Sequence, residues 1–165
     1  MRNILFILLP VMLVLSSCSG IRSKTENRAE RETVRKAVVK NAVEQQRMVL
    51  SINRFHPLKG LPVEMRPDNN FVIIDGDKIR MSLGYMGRSQ SVRPISAINM
   101  SGRILSREIG EYRNGGYDMN IEASQDNERF KIHLKISGSG QVDLSIINMR
   151  IDMARYSGRL KNSSI

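Results

Sequence analysis

Tryptophan is absent from this 165-residue chain, cysteine occurs once, at Cys18, and histidine twice, at His56 and His133. A lone cysteine closes no intramolecular disulfide and offers no thiolate cluster, so a disulfide scaffold and a zinc ribbon are both excluded. Neither histidine sits in a Gly-x-Ser-x-Gly elbow or a His-Glu-x-x-His string. His133 falls between Lys131 and Lys135 on the polar face of an alternating segment, and His56 precedes Pro57. Both read as solvated side chains. No catalytic residue, metal ligand or cofactor is therefore assigned, and a non-enzymatic protein is expected, with a periplasmic hydrolase as the weaker alternative. Acid is scarce too: 16 Asp plus Glu face 26 Lys plus Arg, a formal charge of +10.

What is present begins with a leader. Arg2 precedes an apolar run over residues 4–15, interrupted by Pro10, and then Ser16, Ser17 and Cys18. A charged region, an apolar region and small residues before a cleavage point make a secretory signal peptide. The run is too short to span a bilayer, which takes about 20 residues. Residues 15–18, Leu-Ser-Ser-Cys, resemble the bacterial lipobox, in which the Cys becomes the acylated first residue. That resemblance implies several acyl chains on Cys18 and a lasting membrane anchor. Residues 1–17 are thus read as a signal peptide and 18–24 as a tether. With no acidic residue before Glu26, the expected location is the outer membrane, facing the periplasm.

Cleavage removes Arg2 and no acid, so the charge falls by one to +9. A basic surface draws polyanions through its long-range field. For an exported protein the partners that fit are an anionic glycan or a lipid headgroup, with nucleic acid excluded by compartment. An envelope protein is the other candidate partner.

Residues 25–47 lack Gly and Pro and are rich in Glu, Arg, Lys, Ala and Gln, which predicts a helix. Val34, Val38 and Ala42, with Val39 and Val43, make one narrow apolar stripe, expected to dock on the domain C-terminal to it. Over residues 48–165 the period becomes two. Asp75-Gly76 between two apolar segments predicts a tight hairpin with positive φ at both central residues. Phe130, Ile132, Leu134 and Ile136 alternate with Lys131, His133 and Lys135. Short strands separated by turn signals predict a mainly β fold, an antiparallel meander barrel or sandwich of about eight strands behind one amphipathic helix. The eight methionines that remain after cleavage stand in for missing bulky aromatics in the core.

Two strings repeat: Tyr85-Met86-Gly87-Arg88 and Tyr156-Ser157-Gly158-Arg159. One reading makes them strand-end corners, with packed rings and hydroxyls bonded to backbone. The other makes Tyr85, Arg88, Tyr156 and Arg159 the rim of one anion-recognition site. With Leu83 and Gly84 before the first string, Gly76-Asp77 before the strand and Leu160 after the second, the chain resembles the Bacteroidetes lipoprotein family known as domain of unknown function 4251. Gly84 and Met86 depart from that family's Pro and Phe. The resemblance spans residues 48–160 and implies a small β-rich lipoprotein fold without an assigned activity. The function expected is a lipid-anchored envelope domain that binds a ligand or partner, or else an assembly lipoprotein that docks another envelope protein through its helix.

Overall fold

The computed structural model describes residues 19–87 and 96–161, with side chains from residue 28. Cys18 and Arg88 lie outside the described residues. A helix, α1, runs over Ser19–Glu44, and the chain divides into two compact units, Met1–Val34 and Arg35–Ile165. The helix thus starts before the expected residue 25 and stops before Arg47. Its end is local chemistry: Gln45 N–H donates to Asn41 O at 2.9 Å, Gln46 N–H to Val43 O at 3.1 Å, and Gln46 takes φ 55°. Arg47, expected in the helix, is instead the first residue of a strand.

That strand, β1 (Arg47–His56), opens a series comprising β2 (Val63–Glu64), β3 (Phe71–Asp75), β4 (Lys78–Gly84), β5 (Ala97–Tyr112), β6 (Gly116–Gln125), β7 (Glu128–Ile136), β8 (Gln141–Asn148) and β9 (Ala154–Lys161). From β3 to β9 each strand pairs antiparallel with the next, and β1 pairs with both β3 and β9. The sheet therefore closes into an eight-stranded antiparallel barrel, with β2 as a short addition beside the end of β1. Closure removes the sheet edges that an open meander would leave to solvent.

Alternation decides what fills it. Met48, Leu50 and Ile52 of β1, Val72 and Ile74 of β3, and Ile132, Leu134 and Ile136 of β7 all point inward and are buried. Met48, Met81, Met100 and Met119 lie in the same core. Val39 and Val43 of α1 join it, whereas Val34 is 58% exposed, so the apolar stripe begins later than the valine spacing suggests.

The β3–β4 hairpin forms where expected, but Asp75 pairs with Lys78, which makes Gly76 and Asp77 the central residues. Gly76 alone of these has positive φ, 59°. A Gly at the first central position serves a type II′ turn, which needs left-handed backbone only there.

Two bulges change the outward pattern. Register slips between Ile52 and Arg54 on β1 and between Ile104 and Ser106 on β5, which leaves Asn53 and Leu105 as extra residues. A bulge re-aims the side chains beyond it. Arg54 and His56 consequently reach the outer wall, while Phe55 turns inward and is buried.

Candidate functional site

The repeated Tyr strings meet only in part. Tyr85 and Tyr156 are both buried and share Phe55, whose ring lies 6.1 Å from that of Tyr85 and 5.3 Å from that of Tyr156. Tyr156 Oη donates to Gly84 O at 3.1 Å. Burial raises the Tyr156 pKa above its ordinary value, and the neighbouring Tyr85 raises it further. Burial, then the Asp152 carboxylate, raises that of Tyr85, partly offset by a hydrogen bond from the Asp152 backbone.

Arg159 is exposed on the opposite face, opposite Ser51 and Gln141. The expected rim of Tyr85, Arg88, Tyr156 and Arg159 is therefore not assembled from the described residues. The reason is parity: Tyr156 and Arg159 are three residues apart, and odd separations on a strand face opposite ways. The Gly in each string has its own cause. A Cβ at Gly87 would fall 2.6 Å from the Tyr85 ring, and one at Gly158 2.1 Å from Ser51 O. Both strings thus describe close packing at two corners of the barrel.

The polar chemistry gathers on the outer wall. His56 pairs with Arg155, Arg155 with Ser145, Ser145 with His133, His133 with Asn120, and Asn120 with Glu108. These six outward residues form one row across β1, β9, β8, β7, β6 and β5. With strands about 4.8 Å apart, the row runs for about 24 Å.

A second row fixes the imidazoles. His56 Nε2 lies 2.8 Å from Ser157 Oγ, and His133 Nε2 lies 2.6 Å from Asp118 Oδ1. Lys135 Nζ adds a contact to Asp118 Oδ2 at 3.5 Å. Arg155 and Lys131 make no ion pair among the described residues. Their charges remain available.

Two grooves lie over this wall and share Ser145. One, of about 560 Å³, takes in Glu108, Asn120, Glu122, Lys131 and His133. The other, of about 410 Å³, takes in His56, Asp143 and Arg155. Ser145, His133 and Asp118 follow one another as hydroxyl, imidazole and carboxylate, yet the Ser145 hydroxyl has no hydrogen bond to the ring among the described residues. Both flanks of β8 are also paired with strands. The ladder consumes the peptide N–H groups that would have to steady an oxyanion. Among the described residues no three of His, Cys, Asp and Glu converge as metal ligands do.

Sequence reading places His133 on the polar face but misses its carboxylate partner and the row it belongs to. One signal is present. The short turn over residues 137–140 fixes the β7–β8 register and hence sets Ser145 opposite His133. His56 and Arg155 carry no comparable signal, because the β1 bulge decides their meeting.

A family model described as Domain of unknown function (DUF4251) matches residues 30–160. The chain belongs to the DUF4251 family. Among solved structures it is similar to a DUF4251 family protein from Bacteroides eggerthii DSM 20697, crystallised at 1.95 Å resolution, with 16% sequence identity and a TM-score of 0.65. That likeness covers 77% of this chain and 87% of the other, and at such identity it speaks to the fold alone. No curated protein matches.

Proposed function

We propose that this DUF4251 protein is an envelope lipoprotein, exported by residues 1–17 and anchored through lipid on Cys18, whose barrel binds an anionic ligand on its outer wall without transforming it. The observation that carries the reading is the row from His56 and Arg155 to Glu108, set in two grooves of the outer wall. The inward positions are taken by packed apolar side chains, so a ligand is better served outside than within. Arg155 and Lys131, with the wider excess of base, favour phosphate or carboxylate groups, as on a lipid headgroup or an acidic glycan.

Docking through the helix has less to offer a partner, because Val39 and Val43 are already buried. A hydrolytic reading lacks donors beside Ser145.

Two measurements test the proposal. Labelled palmitate should enter the wild-type chain and not the Cys18→Ser variant. A chain beginning at Ser19 should co-sediment with lipopolysaccharide or with phosphatidylglycerol vesicles at low salt and release at high salt, as exposed charges demand. Arg155→Glu should weaken that retention several-fold. Equal retention at both salts, or retention indifferent to Arg155, removes the outer-wall reading.

A further inference from the structure

Among the described residues the second half of β5 is paired on one side only. This strand covers Ala97–Tyr112, but β4 accompanies it only from Ala97 to Arg103. Ile104 N–H still reaches Asp77 O at 2.7 Å, in the β3–β4 turn. Beyond that, residues 105–112 pair with β6 on one side, and among the described residues no strand runs along the other. Such an edge presents unpaired peptide groups and can take up another strand. Among its charged residues it exposes three large apolar side chains: Leu105 is 54%, Ile109 43% and Tyr112 47% exposed.

We infer that β5 pairs antiparallel with β5 of a second copy, with Ile109 on the two-fold axis. Closed dimers put the same patch on both partners, and an antiparallel ribbon with a perpendicular two-fold must set one residue opposite its own copy. Among centres within residues 107–111, which give the longest overlap, charge then selects the register. Centring on Arg107, Glu108 or Glu111 places like charges face to face, and centring on Gly110 sets Arg107 against Arg113. Like charges directly opposite destabilise a ladder. Centring on Ile109 sets isoleucine on isoleucine and Arg107 against Glu111 on both sides. These three residues share one face, the face that on β6 carries Ile121, Met119 and Tyr117.

Arg107 supplies an independent sign. Its Nη2 donates to Gly76 O at 2.6 Å, yet its buried Nε has no hydrogen-bond partner among the described residues. A buried donor without an acceptor is costly. A carboxylate arriving from Glu111 of a second copy brings the missing acceptor to that guanidinium.

The experiment is a mass measurement on the full chain in detergent, by light scattering. The wild type should be dimeric, Glu111→Lys should be monomeric with an unchanged circular dichroism spectrum, and Arg107→Glu combined with Glu111→Lys should recover the dimer. In a Cys18→Ser background, Ile109→Cys should oxidise to a disulfide-linked dimer, since opposed Cα atoms lie about 4.5 to 5.5 Å apart. Ser157→Cys on the far wall should not. A monomeric wild type, or a dimer that ignores Glu111→Lys and leaves the Ile109→Cys variant uncrosslinked, overturns the inference whatever the anion-binding assays show.

Discussion

Tyr156 Oη donates to the carbonyl oxygen of Gly84 across 3.1 Å, linking the last strand of the barrel to the end of β4. The contact is part-buried, and both rings around it lean on Phe55. Replacing Tyr156 with Phe keeps the packing and strands the acceptor. Loss of about 1–2 kcal/mol is expected, read from urea unfolding. An unchanged midpoint would show that Gly84 finds another donor.

The same corner sets a pH dependence. Burial is the larger cause of the raised pKa of both Tyr85 and Tyr156. In the unfolded chain a tyrosine ionises near 10, whereas the folded chain holds its proton longer, so the unfolded state loses protons first as pH rises. The contribution of these tyrosines is whole below pH about 10 and is lost progressively above it. Unfolding midpoints should therefore be flat from neutral pH and decline in the alkaline range. The Tyr85→Phe, Tyr156→Phe double variant should flatten that decline.

Gly158 offers a steric test of closure. A methyl group there would sit 2.1 Å from Ser51 O, in the β1–β9 seam, whereas one at Gly110 finds its nearest neighbour, Asp118 O, at 3.9 Å. Gly158→Ala should cost about 3 kcal/mol or more, while Gly110→Ala stays within about 0.5 kcal/mol. Thermal melts of the two variants compare the sites directly. Similar melts would mean the seam relaxes without cost.

The valines of α1 divide in the same way. Val39 is 1% exposed and Val34 58%. Val39→Ala should lower stability by about 2 kcal/mol through lost burial and the space left behind. Val34→Ala should leave it unchanged.

How much of this is legible in the sequence depends on which physics is local. The alternation of Phe130, Ile132, Leu134 and Ile136 announces β7, and its inward face is the one observed. The hairpin at Gly76 is readable because turn chemistry acts over four residues, though the central pair sits one position further on. The bulge at Asn53 is not readable, since it is settled by the meeting of β1 with β9 from the other end of the chain. Every feature depending on that meeting stays hidden with it, including the row through His56 and Arg155. The pairing of Arg159 with the tyrosines fails as an inference from repetition, because two similar strings need not share a face. Arg159 points outward while Tyr156 is enclosed.

The seam between β1 and β9 joins residues near 49 to residues near 161. Neighbouring hairpins need only local contacts, but this join brings together strands about a hundred residues apart, and distant pairings form slowly. Without β9 the sheet has no partner for the outer side of β1 and stays an open ribbon. β9 thus acts as the latch of the fold, and a chain lacking it should be the form that proteases clear first.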